Sequence, residues 1–424
     1  MAEQSAGPRG TILVVGGGIA GLTVAVEVAE TGTEVYLVEK SPSLGGRVGR
    51  MYRYFPKLCP PACGLEILLK RLRANPKIHV LTSAEVRRVK GKPGDLEVRV
   101  KQRPRFVNDR CTACGDCLEV CPADRPDDVN FGFSKTKAIY LPQLQSHPVR
   151  YVIDRDACPP DCDKCVAVCK PKAIDLDMQG QSLTLQVGSV VMATGWQPYD
   201  ASKLEGLGFG DLPDVITNVM MERLAAPAGP TQGKITRPSD GKPPRHVTFV
   251  QCAGSRDEEH LPYCSAVCCL ASLKQATYVR EQLPDAEVHM LYIDVRAPGR
   301  FEQFYTRVAA DPKVKLSRGK AANVRAGSDG KLVVQAEDTL TGTPLEVETD
   351  LVVLATGMQP SGLGKLADSI DQDGVGFLTP DSRKTGIWAA GCARRPGDVM
   401  ITVEDATATA MHALQACQRR QSHG

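Results

Sequence analysis

The sequence lacks several features that would have fixed its class at once. No apolar run approaches the ~20 residues that cross a bilayer, so any membrane contact is expected to go through partner subunits. The opening stretch, MAEQSAGPRG, is polar and carries no charged-then-apolar leader. The net charge is only +3 over 424 residues, too little to argue for nucleic acid or an anionic membrane surface. There are seven histidines, with no Ser-His-Asp pattern and no paired acidic motif. No catalytic side chain is therefore expected beyond what cofactors supply. The remaining composition, 42% hydrophobic and 24% charged, is ordinary for a globular chain. The length allows two or three domains with their own cores.

Cysteine is abundant, at sixteen residues. The chain is not a small secreted scaffold, so these thiols read as metal ligands in a reducing cytoplasm rather than as disulfides. Eight of them form two tight runs. Cys111, Cys114, Cys117 and Cys121 stand in CTACGDCLEVCP, and Cys158, Cys162, Cys165 and Cys169 in CPPDCDKCVAVCKP. The first run has the C-x2-C-x2-C-x3-C-P spacing of bacterial ferredoxins, whose thiolates hold [4Fe–4S] clusters. The second departs from it, with three residues between Cys158 and Cys162. In two-cluster ferredoxins the fourth cysteine of each run serves the other cluster. Applied here, Cys111, Cys114, Cys117 and Cys169 form one set, and Cys158, Cys162, Cys165 and Cys121 the other. Zinc held by four thiolates is the alternative; the x2-x2-x3-Pro rhythm favours clusters.

A dinucleotide signature precedes these runs. The apolar stretch Thr11 to Val15 leads into Gly16-Gly17-Gly18-Ile19-Ala20-Gly21 and then LTVAVEVAE. This is strand, G-x-G-x-x-G, helix. Gly16 permits the tight turn, Gly18 lets the backbone approach a pyrophosphate, and Gly21 lets helix and strand pack. The helix N-terminus would face the phosphates. A second strand, EVYLVEK, ends in Glu39, placed to accept hydrogen bonds from a ribose. Glu39-Lys40 continues to Gly45-Gly46-Arg47, which resembles the E-K-x-x-x-x-G-G-R stretch of flavoproteins with two dinucleotide-type domains and favours FAD over NAD. Two apolar strands ending in Ala193-Thr194-Gly195 and in Ala355-Thr356-Gly357 resemble the junction strands of those proteins. GIWAAG, ending at Gly391, resembles their last FAD-contacting strand. There the glycine is followed by an Asp that holds the ribityl chain; here Cys392 follows, which puts that contact in doubt. A helix from about Thr402 would aim its positive end at the flavin pyrimidine and favour an anionic reduced flavin.

The strand HVTFVQ, His246 to Gln251, stands where a second glycine fingerprint for NAD(P)H would be expected. Instead Cys252 follows, then Cys264, Cys268 and Cys269, and no nicotinamide site is expected. These four thiols could be unrelated buried side chains, a redox dithiol, or the full ligand set of a third [4Fe–4S] cluster, which is the reading followed here. Cys59 and Cys63, in YRYFPKLCPPACGLE, fit a redox dithiol beside the flavin, packing, or an unusual ligand. Cys392 and Cys417 lack partners at ligand spacing and read as inert thiols.

The expected fold is α/β: a two-dinucleotide-domain, thioredoxin reductase-like flavoprotein with an inserted α+β two-cluster ferredoxin-like module. The expected order is an FAD-binding part over 1–104 and the iron–sulfur module over 105–178. The FAD domain's second part and a connection follow over 179–242, then a nicotinamide-domain-like region with the third cysteine group over 243–346. The C-terminal FAD part covers 347–424.

The succession GGGIAG, CTACGDCLEVCP, CAGSRDEEHLPYCSAVCC and GCARRPGDV resembles the A subunit of heterodisulfide reductase and its relatives over almost the whole chain. The FPKLCPP stretch and the lack of appended domains bring it closer to one branch, the A subunit of the quinone-interacting membrane-bound oxidoreductase complex. The resemblance implies a subunit carrying FAD and iron–sulfur clusters, with Cys252, Cys264, Cys268 and Cys269 as cluster ligands. As partners it implies a haem- and quinone-binding membrane subunit together with a second flavin/iron–sulfur subunit. It also implies a cytoplasmic location peripheral to the membrane, and electron exchange between the quinone pool and adenylylsulfate reductase. Two further readings are a heterodisulfide reductase-type subunit that acts on a soluble disulfide or sulfur carrier, with bifurcation at the flavin, and an NAD(P)H-dependent flavin oxidoreductase.

Overall fold

The computed structural model describes Ser5–Ala6 and residues 10–143 and 145–421. Two parallel sheets organise it. The first has five strands in the order Ile387–Ala389, Ser189–Met192, Ile12–Val15, Val35–Val38, Ile78–Leu81. Every pairing in it is parallel. Its central strands are unbroken apolar runs because both faces are covered. The helix Ile19–Glu30 is buried along most of its length. It packs against the C-terminal helix Val399–Gln421 and the helix Ala62–Ala74.

The second sheet is also five-stranded and parallel, in the order Val215–Thr217, Leu351–Thr356, His246–Ala253, Glu287–Tyr292, Val314–Arg318. It draws strands from both sides of the 243–346 region expected to form it. Val215–Thr217 and Leu351–Thr356 lie outside that span. The helices Cys268–Gln282 and Phe301–Ala309 cover one face, and the antiparallel strands Ala321–Ala326, Leu332–Asp338 and Thr343–Thr349 form a separate sheet. The two halves meet where Trp196–Pro198 pairs with Met358–Pro360, directly after the two A-T-G turns.

The cysteine-rich segment is looped out of a third sheet. Asp95–Gln102 and Gln181–Val187 are neighbouring antiparallel strands, and Gln102 faces Gln181 in register. The chain leaves and re-enters the sheet at one point. The looped-out segment has a core of only Val107, Cys117, Ile139, Tyr151, Ile153, Ala173 and Ile174, small for a unit standing alone. Buried arginines anchor it. Arg105 donates to the carbonyls of Tyr151, Arg150 and Pro42. Arg223, from the second half, donates to Asn130 Oδ1 at 2.9 Å and to the Arg50 carbonyl at 2.7 Å.

A buried ion pair fixes the stretch before Cys59. Lys274 Nζ lies 2.8 Å from Glu222 Oε1, with side chains 4% and 6% exposed. Lys274 also donates to the Arg53 carbonyl at 2.6 Å. Gln275, the Tyr278 hydroxyl and the Tyr52 amide all donate to the Glu222 carboxylate. Removing one partner strands the other charge out of water. Glu222→Ala is expected to cost about 3–5 kcal/mol in denaturant unfolding, whereas Glu281→Ala, on an exposed pair with Arg53, costs about 1 kcal/mol or less.

Candidate functional site

The glycine loop is shaped by close backbone approach. Gly16 has φ +107°, and a Cβ there would lie 2.2 Å from the Ala193 carbonyl oxygen. At Gly21 it would lie 1.8 Å from the Gly16 oxygen. Gly46 has φ +54° and passes so near Gly18 that a Cβ would meet its Cα at 2.8 Å. Gly18 caps the helix Ile19–Glu30 with no side chain bonded to the helix end, and a Cβ there meets only Gly46 Cα, at 3.8 Å. That opening, at the start of Ile19, Ala20 and Gly21, is the cradle a pyrophosphate needs. Glu39 holds the loop through both oxygens, accepting from Gly17 N at 2.6 Å and Ser41 N at 2.7 Å. Lys40 does not join the site: its side chain is 76% exposed and reaches Glu85 at 3.9 Å.

The other expected flavin residues fall into two places. Ala193 sits against Gly16, and the buried Thr194 hydroxyl has no protein partner, an orphan polar atom that suits a bound cofactor. Gly195 turns with φ +70°. Arg47 donates to the Trp196 carbonyl at 2.6 Å and lies over the Trp196 ring at 4.9 Å. Burial, then Arg50, lowers its pKa to about 10. Gly45 donates to the Gly17 carbonyl at 2.8 Å. Gln143, from the looped-out segment, grips the same loop through the Leu44 carbonyl at 2.6 Å. Thr356 and Gly357 lie elsewhere, beside the third cysteine group. The Thr356 carbonyl accepts from Cys268 Sγ at 3.8 Å, and a Cβ on Gly357 would strike Ser255 and Ser265.

Gly391 turns with φ +62° against Ala20 and Thr402, so the start of the C-terminal helix abuts the glycine loop. That helix begins at Val399, three residues before the expected start. Asp405, on its second turn, accepts from Gly391 N at 2.7 Å and Arg394 at 2.9 Å. The sequence reading missed this carboxylate, since a partner fourteen positions away leaves no local spacing signal. Cys392 is buried, donating to the Gly397 carbonyl at 3.5 Å; burial raises its pKa. Cys417 is buried too.

The looped-out thiols gather across the two runs. Cys111, Cys114, Cys117 and Cys169 line one small cavity of about 20 Å³. Burial, then the nearby Cys111, raises Cys117 to about 12, with Cys114 and Cys165 contributing. On the other side, burial raises Cys158 and Cys165, and both feel Cys121 and Cys162. The fourth residue of each run thus stands with the other run's first three.

The third group converges from a strand end and a helix start. Cys252 closes the strand His246–Ala253, while Cys268 and Cys269 open the helix Cys268–Gln282. Burial raises Cys252 to about 11, followed by the neighbouring Cys269. Cys268 is raised by burial, then by Cys269, Cys252 and Cys264. Among the described residues, the grouped donors within 4.8 Å of one another are Asp257, Glu259 and His260, not cysteines. Cys59 and Cys63 both neighbour the Tyr54 phenol; burial and a hydrogen bond with Cys59 raise it to about 12.

The sequence profile of an NAD(P)-binding Rossmann-like domain matches residues 14–57. The iron-sulfur A subunit 1 of the CoB–CoM heterodisulfide reductase of Methanopyrus kandleri is 41% identical over 95% of this chain and 63% of its own length. The A subunit of the H(2):CoB-CoM heterodisulfide,ferredoxin reductase of Methanothermobacter thermautotrophicus is 37% identical over the same shares. The chain therefore spans under two thirds of these relatives. Thioredoxin reductase of Lactococcus lactis superposes with a TM-score of 0.55 at 14% identity, over 96% of this chain and 99% of its own. The homologues are thus heterodisulfide reductase A subunits of methanogens. The chain has a thioredoxin reductase-like, Rossmann-type α/β fold with a cysteine-rich insert.

Two outcomes follow from this geometry. Gly18→Val leaves the protein folded, because the space around Gly18 is open, but lowers flavin per chain about tenfold or more by filling the phosphate cradle. In metal-free protein at pH 8, iodoacetamide labels the exposed Cys63 and Cys114 before Cys117 and Cys252. The raised pKa of the latter two leaves little thiolate to react. Peptide mass spectrometry reads that order.

Proposed function

We propose that the chain is an FAD- and iron–sulfur-dependent electron-transfer subunit of the heterodisulfide reductase A type. In this reading Cys111, Cys114, Cys117 and Cys169 hold one [4Fe–4S] cluster, Cys158, Cys162, Cys165 and Cys121 a second, and Cys252, Cys264, Cys268 and Cys269 a third.

The observation that carries it is a repeated turn. The Ala113 amide donates to Cys111 Sγ at 3.4 Å, with Ala113 at φ +55°. The Ala266 amide donates to Cys264 Sγ at 3.3 Å, with Ala266 at φ +60°. The third group is thus built with the Cys-x-Ala turn of the first ferredoxin run, although its spacing differs. The amide of Ala173 likewise donates to Cys169 Sγ at 3.3 Å. Amides aimed at sulfur stabilise thiolates.

When bound, a flavin exchanges one or two electrons and a cluster one at a time, so together they connect pair and single-electron partners. The chain's own residues bind and orient. Gly16, Gly18 and Gly46 make room for the pyrophosphate, Glu39 fixes the loop, and Arg47 ties it to the strand after Ala193-Thr194-Gly195. The four thiols of the third group occupy the place of a nicotinamide fingerprint, so no pyridine nucleotide site is assigned.

The complex is proposed to be the quinone-interacting membrane-bound one, in which partner subunits link the quinone pool with adenylylsulfate reductase in the cytoplasm. This rests on the FPKLCPP segment with Cys59 and Cys63. No described helix is long and apolar enough to cross a membrane, so the membrane contact would fall to a partner. The second reading is action on a soluble disulfide or sulfur carrier, favoured by the names of the homologues.

Anaerobically purified protein is expected to hold about twelve irons and one FAD per chain, with no bleaching of the flavin by NADH or NADPH. About eight irons would remove the third cluster, and zinc in place of iron would sink the electron-transfer reading. In the complex isolated from its source, reduction by a menaquinol analogue together with a co-purifying haem protein supports the quinone assignment. Disulfide reduction without either supports the second reading.

A further inference from the structure

We infer that Gln143 is a positioning residue through which the inserted segment governs flavin retention. It holds the loop from Pro42 to Arg50 in the shape that closes the phosphate cradle, so FAD affinity follows the state of the insert. This rests on the flavin and insert-cluster readings above.

The insert grips that loop at both ends. Arg105 donates to the Pro42 carbonyl. The His147 amide donates to Ser43 Oγ at 3.0 Å, and the Leu44 amide donates to the His147 carbonyl at 2.9 Å. Gln143 Nε2 donates to the Leu44 carbonyl at 2.6 Å. The Gln143 backbone is itself pinned, its amide donating to Ser146 Oγ at 2.9 Å. At the far end Arg223 bridges Asn130 of the insert to the Arg50 carbonyl.

Among these contacts, Gln143 is the one around which the loop is shaped. Two glycines clear space for its side-chain amide. A Cβ on Gly45 would lie 2.9 Å from Gln143 Nε2, and one on Gly49 would lie 3.1 Å from Oε1. Gly45 in turn donates to the Gly17 carbonyl at 2.8 Å, and Gly46 lies against Gly18. One run of contacts therefore leads from an insert side chain to the glycines of the phosphate cradle.

The insert has little apolar packing with which to hold this geometry. Its small core includes Cys117, one of the thiols assigned to a cluster, and cores of that size depend on a metal or another staple. Loss of the cluster loosens the segment that carries Gln143, and the cradle opens. Linkage makes the effect mutual: bound FAD favours cluster retention by the same factor.

The test measures FAD dissociation constants by fluorescence quenching on the full chain, depleted of flavin and kept anaerobic, with iron counted in each sample. Gln143→Ala at the parent's iron content is expected to weaken FAD binding about tenfold, through loss of one buried hydrogen bond. Cys114→Ser, which removes an insert thiol, weakens it to a similar degree. Combining the two adds less than about threefold, because both act through one contact. Gly49→Ala crowds the Gln143 amide from the loop side, so it weakens binding several-fold in the parent and is harmless beside Gln143→Ala. Parent affinity in either Gln143→Ala or Cys114→Ser overturns the assignment, as does a further loss of about threefold or more in the double variant. If Gln143→Ala fails to fold, Gly49→Ala decides: weaker FAD binding supports the assignment, and parent affinity overturns it. A parent protein that binds no FAD removes the flavin reading itself, an outcome distinct from all of these.

Discussion

The arrangement depends on a few buried cations that donate to backbone carbonyls across breaks in the sequence. Arg105 ties the insert to Pro42. Arg223 joins the insert, the loop after Arg47 and the turn at Ala228. Arg47 joins the glycine-loop region to the strand after the first A-T-G, and Lys274 holds the Arg53 carbonyl. Apolar packing could not do this alone, because the insert's core is too small to set its orientation. Arginine suits this role because several donors in a fixed plane satisfy carbonyls from separate segments at once. Burial is costly for the guanidinium, and it lowers the pKa of Arg47 and Arg105 to about 10 and that of Arg223 below its ordinary value. All three stay charged near neutral pH, and their bonds to carbonyls offset the loss of water.

With these joints fixed, the thiol groups and the glycine loop occupy a connected region. Gln143 and His147 of the insert hold the loop around Ser43–Gly45. The two A-T-G turns run into the paired strands Trp196–Pro198 and Met358–Pro360. The insert therefore touches the glycine-loop side of the first turn, and the second turn lies beside the third cysteine group.

Much of this was legible in the sequence, for a physical reason: the motifs depend on short-range geometry. The glycines at 16, 18 and 21 encode a turn and a close approach, both local. The thiol runs encode loop lengths around a compact group. What the sequence could not convey were pairings over long separations. The second sheet recruits Val215–Thr217 and Leu351–Thr356, strands that read locally as parts of the first domain. Asp405, Arg223 and Gln143 act on residues far from them in the chain. Lys40 lies next to the loop-holding Glu39 in sequence, yet points to solvent.

The third cysteine group shows how one architecture serves two chemistries. In a dinucleotide-binding unit, the strand end and following helix start hold an anionic pyrophosphate, with the helix's positive end turned to it. Here the strand His246–Ala253 shifts register against its neighbour between Val250 and Ala253, and Cys252 adopts φ 56° at that irregularity. The helix beyond begins with Cys268 and Cys269, which sit in its first turn. Thiolates are anions, and the helix's positive end favours them there as it would favour phosphate. Where a glycine loop would clear space for a cofactor's backbone approach, a bulge instead turns a sulfur inward. The strand end and helix start that hold a pyrophosphate in a dinucleotide-binding unit here carry Cys252, Cys268 and Cys269.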